Sequence, residues 1–237
     1  MNLVWAAVGA VVGVPAGTML RGPVFRMSVP SGEPDRAACT HCGAALLGWR
    51  VVRCRECGRG LGPPAVFELV TAAVLALLFS RFAGQPGMLA FGFFGGLSVA
   101  LSAIDIAVHR LPDRLTLPAY PAMVVLLGAA AAIGHDGGAL LRALLGGLAL
   151  AAGYLLLALL RPGQLGGGDV KLAGLTGLAL GWLGWPAVLA GAALGFVLSA
   201  IVSLALLAAR RISLRSEICF GPFMLGGALL AILAIST

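Results

Sequence analysis

The stretch that decides the fold is PAVLAGAALGFVLSAIVSLALLAA, residues 186–209, which has no charged side chain in 24 positions. A helix of about 20 apolar residues crosses the roughly 30 Å hydrocarbon core of a membrane. Apolar runs of similar character lie at 3–20, 65–83, 86–107, 115–134, 139–160, 170–184, 186–209 and 218–236. The sequence therefore predicts an all-α fold, a polytopic membrane helix bundle with about eight transmembrane helices.

The overall composition supports this fold class. Hydrophobic residues make up 60% of the chain and charged residues 11%, whereas soluble domains carry about 25% charged residues. The 35 glycines fit close packing between membrane helices. The first run, 3–20, has no basic residue before it and no small-residue cleavage site. We therefore expect a retained span there and not a removed signal peptide.

The basic residues predict the orientation of the chain. Lys and Arg collect in the cytoplasmic loops of membrane proteins. If the polar segment 21–64 is cytoplasmic, only Arg81 and Arg142 of the 16 basic residues lie on the outer side. The net charge of +7 is thus explained by topology. Because no basic helix interleaved with aromatic residues is found, we expect no nucleic-acid partner.

The predicted organisation has three parts: a first transmembrane helix at 1–20, a cytoplasmic Cys-rich domain at 21–64 and a transmembrane domain at 65–237. The middle part contains CTHCGAALLGWRVVRCRECG, with two CxxC pairs. Four such thiolates fit one tetrahedral zinc ion, and we predict a structural Zn²⁺ site. Disulfides are disfavoured on a cytoplasmic face, while a redox pair or idle cysteines remain alternatives. The predicted ligands are Cys39, Cys42, Cys54 and Cys57.

Two aspartates lie at the edges of predicted spans, where an ionisable group is costly and needs a reason. Asp105 ends the third span and Asp169 precedes the sixth, so the predicted topology places both on the cytoplasmic side. Two carboxylates that share a water titrate as a coupled pair, which allows one to act as base and the other as hydrogen-bond donor. The alternative is that Asp169 only caps its helix and Asp105 only ends one.

Further residues near these aspartates are candidates for supporting roles. The side-chain-free backbone of Gly166, Gly167 and Gly168 would let a substrate strand approach Asp169, or would form a flexible linker. Lys171 either orients a carboxylate or anchors at the membrane interface. Asp113 competes for the role of second carboxylate but follows a proline in a better-solvated turn.

An ordered set of motifs resembles the type IV prepilin peptidases, which are membrane aspartic proteases of the GxGD class. The segments AIDIAVHRLPDRLTLP (103–118) and GGGDVKLAGLTGLALGW (166–182) are similar to the first and second catalytic motifs of that family. The two CxxC pairs resemble the cysteines of its cytoplasmic domain. FELVTA (67–72) and FGPFMLGGA (220–228) are similar to the segment after that domain and to the last span.

The resemblance implies that Asp105 and Asp169 cleave the leader of type IV prepilin or pseudopilin precursors after a glycine. It places the protein in the bacterial inner membrane, with the active site on the cytoplasmic side and lipid around the helices. Many family members also methylate the new N-terminus with S-adenosylmethionine, which makes 21–64 methyltransferase-like. Two departures bear on methylation more than on cleavage: Arg21 stands where asparagine is usual, and Thr40 where proline is usual.

Two functions of other classes remain as alternatives. An ion- or proton-coupled transporter would use the aspartate pair as its binding site. A non-catalytic, zinc-bearing membrane adaptor would need the cysteines and be indifferent to the aspartates.

Overall fold

The computed structural model describes residues 2–30, 32–46, 48, 52–62, 65–160, 165–211, 213 and 219–235. Regular structure within these ranges is helical, apart from two isolated β-bridges. Three arginines that we predict to be cytoplasmic, Arg50, Arg161 and Arg215, lie outside them. The helices are α1 (Leu3–Met27), α2 (Val66–Arg81), α3 (Met88–Val108), α4 (Asp113–Gly134), α5 (Gly137–Leu160), α6 (Gly167–Leu183), α7 (Trp185–Ala208) and α8 (Gly221–Ala234).

Each predicted apolar run coincides with one of these helices. Five of the helices, α1, α3, α4, α5 and α7, are long and apolar enough to cross a membrane. The other three are shorter, with 16 residues in α2, 17 in α6 and 14 in α8. Large apolar side chains face outward on the long helices, for example Ile133 and Leu189 with 70% of their surface exposed. Such surfaces are typical of a multi-pass membrane protein, because lipid covers them.

The first helix is longer than its apolar run. We predicted its end at residue 20, but α1 continues to Met27 and so includes Arg21 and Arg26. The charge of Arg21 is neutralised by Glu68 of α2, with 2.9 Å between Nη1 and Oε1. Arg26 donates hydrogen bonds to carbonyl groups of the Cys-rich segment. A partner for each guanidinium lets the helix extend past the point where hydropathy alone would end it.

The chain divides into two compact units, Met1–Arg110 and Leu111–Thr237. Within the first unit, α1 packs against α2 through glycines spaced four residues apart, Gly9, Gly13 and Gly17. A Cβ at Gly17 would lie 2.9 Å from the Cα of Glu68, so the two backbones meet with no room for a side chain. Where α2 leads into α3, the rings of Phe82 and Phe91 stack with 3.9 Å between centroids.

Within the second unit, α5 and α6 form the closest helix pair. A Cβ at Gly146 would lie 2.8 Å from the carbonyl oxygen of Gly177, and one at Gly147 would lie 3.0 Å from that of Gly174. Small residues on both helices therefore bring the backbones into contact. This contact determines the height of α6, and of Asp169 in its first turn, relative to α5.

Candidate functional site

Four cysteine sulfurs come together in the segment between α1 and α2. The Sγ atoms of Cys39, Cys42, Cys54 and Cys57 all lie within 4.8 Å of one another. The sulfurs of Cys39 and Cys57 are 3.8 Å apart, and those of Cys42 and Cys54 are 3.6 Å apart. Zinc–sulfur bonds of about 2.3 Å place tetrahedral ligands about 3.8 Å from one another. The predicted ligand set therefore has the spacing that one tetrahedral metal ion needs.

Each CxxC pair lies in a tight turn closed by a short antiparallel bridge. The bridges join Ala38 to Ala45 and Arg53 to Gly60. Gly43 and Gly58 directly follow the second cysteine of their pairs, with φ of +73° and +67°. This left-handed conformation favours glycine. Two copies of the same local turn thus hold the four sulfurs at one point.

Hydrogen bonds in the cluster favour a thiolate. The backbone N–H groups of His41 and Cys42 lower the pKa of Cys39 to about 6. At Cys42, the N–H of Ala44 acts in the same direction, but burial and the three neighbouring sulfurs outweigh it and raise the pKa to about 12. A negative charge on Cys39 is thus favoured, and this charge opposes a second one on Cys42. Four thiolates can share this space only with a cation between them.

Arginine hydrogen bonds attach the Cys-rich segment to the end of α1. The Nη2 atom of Arg26 donates to the carbonyl oxygens of Leu46 and Gly48, at 2.6 and 2.7 Å. Arg36 donates to the carbonyl oxygen of Phe25 at 3.1 Å, and its guanidinium also lies 5.1 Å from the centre of the Phe25 ring. Charged donors on carbonyl groups make strong hydrogen bonds, so this attachment is firm.

A cavity of about 360 Å³ lies in the first unit, next to the cysteine cluster. Its polar lining comes from Ser28, Arg36, Thr40 and His41, and its apolar lining includes Val24, Phe25, Ala103 and Ala107. Polar groups that converge beside apolar walls are a feature of small-molecule sites. One of the two departures from the family motifs, Thr40, lies in this lining.

Asp105 lies in the last turn of α3 and is 5% exposed. The helix ends at Val108, and its C-cap His109 adopts the left-handed conformation with φ of 50° and donates its N–H to the Asp105 carbonyl oxygen at 2.7 Å. Arg110 then donates to the carbonyl oxygen of Pro30 at 3.1 Å. Asp105 thus lies at the end of an apolar helix, as we predicted from sequence, and the structure adds that its side chain is buried.

Asp169 lies inside α6, and not in the loop before that helix where we had placed it. Gly166 is the N-cap, while Gly167 and Gly168 are already helical, so the three glycines are not a flexible linker. Asp169 is the third helical residue, and its Oδ2 accepts a hydrogen bond from the N–H of Gly166 at 3.1 Å. An acidic side chain that reaches back in this way satisfies an otherwise unpaired amide of the helix start.

Lys171 pairs with Asp113 in the second unit. The distance from Nζ to Oδ1 is 2.6 Å, which joins the start of α6 to the start of α4. Tyr120 of α4 reinforces this junction, because its hydroxyl donates to the carbonyl oxygen of Lys171 at 2.5 Å. Asp113 is thus partnered by a cation, and Lys171 orients a carboxylate other than Asp169.

Comparison with known proteins places these motifs in a family. Residues 91–209 match the model of the type IV leader peptidase family. The matched range runs from α3 into the end of α7 and includes both Asp105 and Asp169. The chain belongs to this family.

Relatives of this leader peptidase family member extend the likeness beyond the matched range. The prepilin leader peptidase/N-methyltransferase of Burkholderia pseudomallei (strain 1026b) is 32% identical over 243 residues, which covers 96% of this chain and 75% of the relative. The protein of the same name from Aeromonas hydrophila is 31% identical over 217 residues, covering 85% and 71%. That of Bacillus subtilis (strain 168) is 28% identical over 214 residues, covering 84% and 81%. No solved structure matches the chain significantly.

Sequence analysis assigned no individual role to three residues that the structure brings forward. Arg26 and Arg36 anchor the Cys-rich segment. Their positions before and after the first residues of that segment are the sequence signal for this role. Tyr154 is one of two tyrosines in the chain and is the only polar side chain of α5 after Arg142. A lone hydroxyl in a long apolar run is the sequence signal that marks this residue as a functional candidate.

Proposed function

We propose that this protein is a membrane-embedded aspartic endopeptidase that removes the leader peptide of type IV prepilin-like precursors after a glycine. The observation that carries the proposal is the family match, which spans both aspartate motifs. Relatives named prepilin leader peptidase/N-methyltransferase align with most of the chain. Neither the transporter nor the adaptor gains support from these comparisons.

We assign catalysis to Asp105 and Asp169. Each lies at a helix end, in the last turn of α3 and the first turn of α6. If successive helices cross the membrane in alternate directions, the end of α3 and the start of α6 lie on the same side of the membrane. The Lys171–Asp113 ion pair supports this alternation, because it joins the starts of α4 and α6. Asp113 already has a cation partner and is more exposed, so it is the weaker candidate.

The mechanism follows from the chemistry of a coupled carboxylate pair. The charged aspartate takes a proton from a water molecule, whose oxygen attacks the carbonyl carbon of the scissile bond. The neutral aspartate hydrogen-bonds the carbonyl oxygen and stabilises the tetrahedral intermediate. Collapse of that intermediate breaks the C–N bond, and the leaving nitrogen takes up a proton. The exposed backbone of Gly166 and Gly167 leaves room for an extended precursor beside Asp169.

We expect a side chain at Gly168 of α6 to slow cleavage. A Cβ at Gly168 would lie 3.1 Å from the Cβ of Leu111, whereas one at Gly128 of α4 would meet none of the described residues within 4 Å. Gly168→Ala should therefore displace the start of α6, and with it Asp169, and lower kcat about tenfold, because small misplacements are costly in catalysis. Gly128→Ala is the matched control and should stay within about threefold of the parent. Equal activity of the two variants would contradict the packing role of Gly168.

The membrane arrangement is part of the proposal. All eight helices span the bacterial inner membrane, and the Cys-rich segment and both catalytic aspartates face the cytoplasm. We divide the chain by function into a first span at 1–20, a Cys-rich domain at 21–64 and a peptidase domain at 65–237. These functional parts are not the packing units. The positive-inside distribution of Lys and Arg supports this orientation.

The cysteine cluster holds a structural zinc ion. Its sulfur spacing and the lowered pKa of Cys39 fit a Cys₄ site. The apolar core around it is small, with Phe25, Cys39, Leu46, Cys54 and Leu61 buried together. The metal would therefore supply much of the folding free energy of the segment.

A second activity, N-methylation of the cleaved product, is favoured by the cavity in the first unit. S-adenosylmethionine would supply the methyl group that goes to the new α-amine. The lining of the cavity supports this proposal, since Arg36 would offer a guanidinium to the carboxylate of the methyl donor and Val24, Phe25 and Ala103 would offer apolar walls to its adenine. Only one hydrogen bond from the Arg36 guanidinium is described, to Phe25, and the group has five N–H donors in all.

We expect Arg36→Ala to weaken the binding of S-adenosylmethionine by about 10- to 100-fold, the worth of one charged hydrogen bond. Isothermal titration of the purified full-length protein measures this without turnover. Arg55→Ala is the matched control, because Arg55 lies in an exposed turn and does not line the cavity. Zinc content reports whether the variant is folded. Parent-like affinity in a zinc-loaded Arg36→Ala protein would place the methyl donor elsewhere.

The experiment that tests the main proposal is cleavage by the purified full-length protein in detergent. A prepilin-type precursor is added, and mass spectrometry identifies the new N-terminus with and without S-adenosylmethionine. A single cut after glycine is the expected result, with a methyl mass added when the donor is present. Intact precursor in the presence of a folded, zinc-loaded protein would favour the transporter or the adaptor.

A further inference from the structure

The hydroxyl of Tyr154 is buried in α5. The residue is 3% exposed, and among the described residues its Oη has no hydrogen-bond partner. Buried polar groups in native proteins are nearly always paired, and an unpaired one needs an explanation such as a catalytic role. The other tyrosine, Tyr120, follows the rule by donating to the Lys171 carbonyl oxygen.

The packing of α5 on α6 puts Tyr154 at the level of Asp169. The helices run antiparallel, since Gly146 faces Gly177 while Ala143, earlier in α5, faces Gly181, later in α6. Tyr154 lies eight residues beyond Gly146 in α5, and Asp169 lies eight residues before Gly177 in α6. The register between the two helices thus places the two residues at the same level.

Aromatic packing fixes the direction of the Tyr154 ring. It stacks on Phe196 of α7 with 5.7 Å between centroids, and it lies 6.0 Å from Phe220, the N-cap of α8. Such pairs restrict the ring and therefore the direction in which its hydroxyl projects. A donor that is held rigidly at the level of a carboxylate requires little rearrangement to act during a reaction.

We propose that Tyr154 is a positioning residue whose hydroxyl donates a hydrogen bond to the Asp169 carboxylate when the precursor is bound. In the structure Asp169 accepts a hydrogen bond from the N–H of Gly166 through Oδ2. Catalytic hydrogen bonds are often long in ligand-free enzymes and tighten in the substrate complex. A donor to the charged form favours that form, which makes Asp169 the base of the pair. This assignment rests on the proposed peptidase function.

The test compares Tyr154→Phe with Tyr120→Phe, which each remove one hydroxyl and keep the ring. Tyr154→Phe should lower kcat by about 10- to 100-fold, the worth of a charge-assisted hydrogen bond, with KM within about twofold. Its Tm should not fall, because the hydroxyl it loses has no partner among the described residues. Tyr120→Phe should lower Tm, because it breaks an existing hydrogen bond.

The outcomes separate this inference from the proposed function. If the parent cleaves, Asp169→Asn does not, and Tyr154→Phe has a parent-like kcat, the inference is overturned and the peptidase stands. An increase in KM at constant kcat would likewise overturn it, since Tyr154 would then act only in precursor binding. Absence of cleavage by the parent protein would overturn both.

Discussion

Asp169→Asn should lower the rate of precursor cleavage by about 10³-fold or more while the protein remains folded. Asparagine keeps the shape of the side chain and still accepts the Gly166 amide hydrogen bond, so the start of α6 should be preserved. It cannot take a proton from water, and general acid–base catalysis contributes about 10²- to 10⁴-fold. Asp105→Asn should have a similar effect. The rate of appearance of the new N-terminus, followed by mass spectrometry, measures both.

Asp113→Asn is the matched control for this pair. It lies in the first turn of α4 and its carboxylate is 56% exposed, paired with Lys171. Exposed ion pairs contribute little to stability, so the loss in rate should remain below about tenfold. A loss as large as that of Asp105→Asn would change the choice of catalytic pair. Near-normal cleavage by a folded Asp169→Asn protein would exclude the mechanism altogether.

Cys54→Ser should release the bound zinc and unfold the segment between α1 and α2. Cys54 is 3% exposed and its sulfur lies among the other three of the cluster. The segment has a small apolar core, so binding of the metal and folding of the segment should be one process. We expect about one zinc per chain in the parent and almost none in the variant, measured by elemental analysis. Limited proteolysis should cut the variant within residues 28–65 and spare the parent.

Cys219→Ser provides the control for a lost thiol. Cys219 precedes α8 and is not part of the sulfur cluster, so this variant should keep its zinc and its resistance to protease. Full zinc content in Cys54→Ser would exclude the Cys₄ site. A strong chelator should reproduce the effect of Cys54→Ser in the parent protein, because it removes the same ion.

Local sequence patterns were sufficient for the helices and the cysteine cluster. A run of apolar residues long enough to span a membrane forms a helix whatever its neighbours are, since its backbone hydrogen bonds close within the run. The CxxC pairs also contain their own turns, with Gly43 and Gly58 at the positions that need a left-handed conformation. For the same reason, the sequence placed Asp105 in the last turn of its helix.

Contacts between distant segments could not be read in this way. Hydropathy ended α1 at residue 20, because it does not reveal that Glu68 neutralises Arg21 or that the Cys-rich segment offers carbonyl groups to Arg26. The sequence likewise left two roles open for Lys171, orienting a carboxylate or anchoring at the membrane interface. The structure shows that Lys171 pairs with the carboxylate of Asp113, 58 positions away in the chain.

The sequence by itself determined the all-helical fold, the membrane character, the four clustered cysteines and the position of Asp105 at a helix end. These features depend on composition and short spacings, which act within one segment. Only the tertiary structure decided that Asp169 begins α6, that Lys171 is paired with Asp113, and that Tyr154 lies level with Asp169. Those facts depend on the register between helices, which close contacts such as Gly146 on Gly177 determine and which no single segment encodes.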